Sequence, residues 1–249
     1  MNNYDSVYLA WQAPDSREWH VVGKLTKKDD KYIFKYTQGA LSSKKFIAFS
    51  GMDDLSRVYV SNEIFPLFKN RLLSPKRPEY SKFIDWLQLP TDQVTPINIL
   101  GRSGAARITD QLQMFKKIKL DNERRFEHKF FAHGIGWLNQ SAQDRVNSLN
   151  SGEKLYLCID CQNEHDDNAI VIRTKEPHEI VGFCPRYISK YLIPLLMNDS
   201  DSIEITVDKI TNSAPLNYKL LCTIHGYADE KFGPDIMNGK EFTPIAKAI

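Results

Sequence analysis

The densest run of chemically capable side chains is Asn163-Glu164-His165-Asp166-Asp167-Asn168, followed closely by Gly182-Phe183-Cys184-Pro185-Arg186. His165 beside Asp166 and Asp167 offers imidazole and carboxylate ligands for a metal. Adjacent carboxylates in a turn more often accept hydrogen bonds from the backbone. Cys158-x-x-Cys161, just upstream, has the spacing of a zinc or redox pair. However, Leu155, Leu157 and Ile159 alternate with Tyr156, Cys158 and Asp160 as in a strand, where positions three apart face opposite sides. Reduced, largely packed thiols are therefore expected, and no metal or other cofactor. Gly101-x-x-Gly104 could cradle a phosphate, but an isolated glycine pair reads as a turn. No nucleophile stands with a recognisable base, so no catalytic residue is expected and an enzyme is the poorest of the readings.

The elements that must hold these residues are legible from periodicity. Short acceptor side chains crowd Asn163 to Asn168, which favours a fixed loop over helix or sheet. Ala169 to Ile172 and Glu179 to Phe183 are β-branched runs separated by Lys175-Glu176-Pro177-His178, the pattern of a hairpin. Beyond Pro185-Arg186 the spacing of Ile188, Leu192, Leu195 and Leu196 predicts a helix. Phe130 to Ile135, Glu153 to Ile159, Ser202 to Ile210 and Tyr218 to Gly226 predict further strands, with a helical turn at Arg145 to Leu149.

The turn and strand Asn163-x-x-Asp166-x-Asn168-Ala169, followed by Gly182-x-x-Pro185-Arg186 and a helix, resembles the HIRAN domain over roughly Phe126 to Tyr227. That family is a small β-rich module whose eukaryotic members hold the 3′ hydroxyl end of single-stranded DNA. The resemblance implies that Asp166 accepts a hydrogen bond from a terminal 3′ hydroxyl and that Trp137 offers a stacking face. It also implies that Arg186 balances the nearest phosphate. His165 stands where the family usually has an aromatic residue, and Phe183 adds a second apolar platform. Gly136 replaces a basic residue of the family and Leu138 an aromatic one. The plainer reading of the Asn/Asp cluster is a capped turn and nothing more.

In the first half, Val7 to Trp11, Trp19 to Leu25 and Tyr32 to Tyr36 predict three antiparallel strands, with Phe46 to Phe49 as a candidate fourth. Ile64 to Leu73 then takes helical spacing, Tyr80 to Leu87 reads as a short helix, and Thr95 to Gly104 carries a Gly101-Arg102-Ser103-Gly104 turn. Val22-Gly23-x-Leu25, Tyr32 to Tyr36 and Phe65-Pro66-Leu67-Phe68-Lys69-Asn70-Arg71-Leu72-Leu73-Ser74-Pro75 resemble the N-terminal subdomain of HipA-type kinases, from about Tyr4 to Phe115. The same unit stands alone as the HipS antitoxin of a three-part toxin-antitoxin system. No kinase core, P-loop or catalytic Asp/Asn segment accompanies it, so the resemblance implies docking on a HipA-like kinase partner. The Phe65, Phe68 and Leu72 stripe reads as core before it reads as partner surface.

Length and charge organise these pieces. The 249 residues, 26% charged and 42% hydrophobic, suit two modest soluble domains. Mean hydropathy is −0.42. No apolar run is long enough to span a bilayer, and Met1 to Asp5 lacks a basic and then apolar leader, so no membrane partner and a cytoplasmic location are expected. The net charge of +2 conceals 21 basic against 14 acidic residues up to Arg125, and 12 against 17 beyond it. Polar Leu120 to Arg125 marks the linker.

The expected architecture is α+β in two domains. Residues 1–119 form a HipA-N-like antiparallel sheet with helices, 120–126 a linker, 127–228 a β-rich HIRAN-like barrel and 229–249 a C-terminal tail. The expected function is non-enzymatic binding of single-stranded DNA or 3′ DNA ends, in a toxin-antitoxin or DNA-defence setting. The alternative is an antitoxin subunit that reads no DNA end. Because the HIRAN-like half is acidic, recognition there must be local, with the basic half supplying general attraction to phosphate.

Overall fold

The computed structural model describes residues 5–107 and 110–246. Tyr4, where the HipA-type resemblance begins, lies outside them. The chain divides into two compact units, one of Met1–Lys117 with Asn238–Ile249 and one of Ile118–Met237. The second unit is thus inserted into the first, and the segment expected as a free tail begins in one unit and finishes in the other.

In the first unit β1 (Asp5–Gln12), β2 (Trp19–Lys28), β3 (Lys31–Tyr36), β4 (Val58–Ser61) and β5 (Leu112–Phe115) form one antiparallel sheet in the order β4-β3-β2-β1-β5. Alternation sends Val7, Leu9, Leu25, Phe34 and Tyr36 to one face, where they are buried with Phe68, Ile97 and Leu100. Those last three come from α1 (Pro66–Lys69) and α3 (Pro96–Ser103); α2 (Tyr80–Leu87) lies between them in the chain. The Tyr36 hydroxyl donates to the Met52 carbonyl at 2.8 Å and accepts from the Phe49 amide at 2.7 Å. Burial raises its pKa to about 12. The returning segment closes this unit: the Gln38 amide donates to Thr243 O at 2.8 Å and the Ile245 amide to Tyr36 O at 2.9 Å. The Phe242 ring meets Tyr8 edge-on at 5.0 Å.

Three local expectations are corrected here. Phe46 to Phe49 is not a strand; its rings pack on Trp11, Tyr36 and one another, and β4 supplies the fourth strand instead. Helical spacing over Ile64 to Leu73 yields only the single turn of α1. Gly101 to Gly104 is not a free turn but the end of α3. Thr95 caps that helix by accepting the Asn98 amide at 3.2 Å, Pro96 occupies its first turn, and Gly104 at φ 72 ends it.

The second unit holds β6 (Arg125–Phe131), α4 (Gln140–Ser148), β7 (Lys154–Ile159), β8 (Ile170–Arg173), β9 (Ile180–Phe183), α5 (Arg186–Asn198), β10 (Ile203–Ile210) and β11 (Leu220–Tyr227). Its sheet order is β6-β11-β10-β7-β8-β9, antiparallel throughout. Just beyond β6, His133 exchanges both backbone hydrogen bonds with Phe183 of β9, each at 2.9 Å. The two outermost strands therefore meet, and the sheet curls into a half-barrel joined at one end. Gly182, at φ 153, permits the approach: a Cβ there would lie 2.9 Å from that of Ala132 and 3.1 Å from the His133 carbonyl.

The segment expected as a linker is bound into this second unit. Asp121 Oδ1 accepts the Glu123 and Arg125 amides at 2.9 and 2.8 Å. The Arg124 guanidinium donates to the carbonyls of Ala228, Asp229 and Gly233. No helix among the described residues is long and apolar enough to cross a membrane.

Candidate functional site

The loop between β7 and β8 folds through its own side chains. Asn163 Nδ2 donates to Asp160 Oδ2 at 2.9 Å, the His165 amide to Asn163 Oδ1 at 3.0 Å, and the Asn168 amide to Asp166 Oδ1 at 3.0 Å. These short acceptors substitute for ladder partners, so the turn is specified locally. Its outcome is a carboxylate, Asp166, held 16% exposed with Oδ2 facing the start of α5.

Arg186 opens that helix and places Nε 3.3 Å from Asp166 Oδ2. A cation in the first turn opposes the helix dipole, and the paired carboxylate offsets it. The carboxylate retains acceptor capacity, because it has roughly four lone-pair directions and spends two on Arg186 and Asn168. Arg186 therefore meets Asp166 through its Nε edge.

Phe183 reaches the same end of the barrel through the bridge to His133. The Gly134 backbone lies against its ring: a Cβ at Gly134 would come within 2.8 Å of Phe183 Cδ2, and φ there is 75. Gly134 then starts the single 3-10 turn Ile135–Trp137. Trp137 is 93% exposed on that turn. With Leu216, Asn217 and the two neighbouring glycines it lines a cleft of about 260 Å³. That is below the size of drug-like pockets but open to a single flat ring.

Asp166 thus pairs with Arg186, while Phe183 lies against Gly134, where the turn carrying Trp137 begins. His165 lies beside them in sequence, exposed at the loop tip. His133 is the residue that the sequence did not single out. It is half-buried, its ring stands edge-on to Tyr187 at 6.3 Å, and its pKa is pushed down to about 4, first by burial and then by the charge of Arg186. The one signal for it in sequence was a histidine ahead of Gly134 at the end of an aromatic strand.

The cysteines do not form a site together. Cys161 is exposed, Cys158 accepts from Arg173 Nε at 3.3 Å, and Cys184 and Cys222 are buried with their thiol pKa values pushed up by burial. No cluster of three or more His, Cys, Asp or Glu side chains among the described residues is arranged to hold a metal. A larger depression of about 700 Å³ lies elsewhere on this sheet, between residues that include Arg125, Glu127, Glu204, His225 and Tyr227. It contains none of Asp166, Arg186, Phe183, Trp137 or His133; on its rim the Glu204 carboxylate lies 3.5 Å from Lys154 and that of Glu127 3.9 Å from His225.

Comparison with known proteins bears on this unit. The family model of the HIRAN domain matches residues 126–229. Among solved structures, the HIRAN domain of human HLTF aligns at 18% identity and a TM-score of 0.33, covering 42% of this chain and 78% of that one. A protein from Lactobacillus plantarum aligns at the same identity and TM-score, covering 42% of this chain and 99% of its own. No curated protein matches the chain. The matched span begins one residue into β6 and ends two residues after β11, and so takes in the whole curled sheet and the Asp166 turn. Residues 126–229 are a HIRAN domain.

Proposed function

We propose that the second unit binds nucleic acid without catalysis, taking the free 3′ end of a single strand at the Asp166, Phe183 and Trp137 end of the half-barrel. The observation that carries this reading is an indole 93% exposed at Trp137 and a pre-formed, arginine-paired carboxylate at Asp166 within the same curled sheet. An indole left in water is a disfavoured arrangement for so large an apolar surface, and base stacking would cover it. A terminal hydroxyl can donate to Asp166, whereas an esterified or phosphorylated one cannot, so the carboxylate selects ends. Arg186 limits the carboxylate's repulsion of the neighbouring phosphate.

The test compares oligonucleotides ending in 3′ hydroxyl and 3′ phosphate. Asp166→Ala should erase the preference for the hydroxyl and strengthen binding of the phosphate, because Arg186 is released to meet it. Equal binding of the two ends by the unaltered protein would refute end reading.

A second reading assigns the first unit a protein-docking role of the HipS type, in an antitoxin that restrains a HipA-like kinase. What favours it is exposed apolar surface at Ile47, 83% exposed, and Leu41, 58% exposed. Co-purification with a kinase core, lost on Ile47→Asp, would support it.

A further inference from the structure

A cleft of about 340 Å³ opens at one end of the first unit's sheet, where the hairpin of β1 and β2 meets the approach to β5. That volume suits a small ligand. Hydrogen bonds fix both of its walls. On the hairpin side the Ala13 amide donates to Glu18 O at 2.9 Å and Gln12 Nε2 to Arg17 O at 2.8 Å, while the Gln12 amide ties the hairpin to Gln111 O at 2.9 Å. On the other side Asp110 accepts the Leu112 amide through Oδ1 at 3.3 Å, and its Oδ2 pairs with Arg71, whose side chain is 3% exposed.

The charges of the lining do not balance. Asp110 is its one acidic side chain, and Arg71, which is not part of the lining, meets that carboxylate. Arg17 and Arg107 also line the cleft; both are exposed, and among the described residues neither guanidinium has a hydrogen-bond, ion-pair or ring partner. Two exposed arginines alone would be ordinary solvated surface. Trp19, in the same lining, supplies an independent observation: its Nε1–H is shut off from water and has no acceptor. An unpaired buried donor is costly and uncommon in a native fold, and a ligand oxygen that displaced its cover would remove the cost. Guanidinium forks and an N–H donor, with no negative charge left unspent, suit an anion that has several oxygens. Two cations match a phosphate monoester, at about −1.5 to −2 near pH 7, better than a single carboxylate.

We propose that this cleft binds a dianionic phosphate group, as the free ion or as the monoester of a small molecule, with Arg17 and Arg107 taking the phosphate and Trp19 Nε1–H donating to one of its oxygens. The site lies within the first unit and is independent of the nucleic-acid reading of the second.

The experiment records ¹H–¹⁵N spectra of the full chain, in which four tryptophans give four indole N–H signals and Trp19→Phe identifies the one from position 19. Inorganic phosphate and AMP should move that signal saturably, and adenosine should leave it in place. By calorimetry, Arg17→Gln with Arg107→Gln should weaken AMP binding by roughly tenfold or more, the loss expected of charge-assisted bonds. Trp19→Phe, which keeps a ring and loses the donor, should weaken it by roughly threefold to tenfold. Arg17→Lys with Arg107→Lys keeps both charges and should recover most of the affinity. Lys44→Gln with Lys45→Gln removes the same charge elsewhere in the unit and should change nothing; an equal loss there would reduce the effect to general attraction and overturn the proposal. An indole signal that phosphate does not move, or that adenosine moves as far as AMP does, also overturns it. So does a shift of that signal by oligothymidylate at lower concentration than by AMP, which would assign the cleft to a nucleic-acid backbone. Tighter binding of AMP than of phosphate makes the ligand an ester and equal binding makes it the free ion; either result upholds the site.

Discussion

Asp166 and Arg186 show how a single contact changes the meaning of two residues. Each alone reads as a ligand group, one for a hydroxyl and one for a phosphate; bonded at 3.3 Å they form a nearly neutral couple that accepts a hydrogen bond. The pairing spans a hairpin and the start of a helix, so no spacing rule announces it in sequence. Trp137, by contrast, was singled out by the HIRAN resemblance, and Trp137→Ala should weaken binding of any single strand by about 1–3 kcal/mol, whatever its sequence, in an anisotropy titration. His133 carries a prediction about pH. Its pKa in the fold, about 4, lies below the ordinary value of 6.5, so the folded state prefers the neutral ring. That preference stabilises the unit above pH 6.5 and is lost as pH falls toward 4, on the order of 3 kcal/mol at the limit. Chemical denaturation at pH 7 and pH 4 should show this loss in the unaltered protein and much less of it in His133→Gln.

The elements that sequence revealed most faithfully were those with a strong apolar pattern of their own. β3 buries every second residue, β1 and β2 bury the unbroken runs Val7 to Ala10 and Val21 to Gly23, and the hairpin of β8 and β9 is bounded by turn formers on both sides. β5 escaped notice because Leu112-Gln113-Met114-Phe115 is four residues long and gains its identity only by pairing with β1. α3 looked like a turn because glycine at 101 and 104 outweighed the Thr95-Pro96 start signal. In the structure Gly101 faces Lys116, where a Cβ would fall 2.8 Å from that side chain's Cγ. The bridge between His133 and Phe183 was illegible, since it joins segments fifty residues apart. Its weak point is Gly182. Gly182→Ala should destabilise the second unit by about 2 kcal/mol or more, as a side chain is strained at φ 153 and meets Ala132. Hydrogen exchange should show the amides of His133 and Phe183 losing protection first. Retained protection at both would mean that the barrel end is held by something other than this contact.

At the scale of the whole chain, the HIRAN domain accounts for part of the molecule and the insertion sets its context. Removing residues 238–246 should lower the unfolding temperature of the first unit, because it takes away the contacts that Phe242, Thr243 and Ile245 make to Tyr8, Gln38 and Tyr36. The second unit should keep its own transition, resolved by calorimetry; a single shared transition in both proteins would show that the two bodies unfold together. The returning segment also reverses the usual order of events during synthesis, in which domains acquire structure from the N-terminus onward. When the ribosome has completed Met237, everything the inserted body needs has been made, including the pair that fastens its two ends, the Ile118 amide to Met237 Sδ at 3.2 Å. The first sheet, begun more than two hundred residues earlier, still lacks its closing piece. The unit that starts first must finish last, and a nascent chain stalled just after Met237 would present a completed inserted unit beside an unfinished sheet.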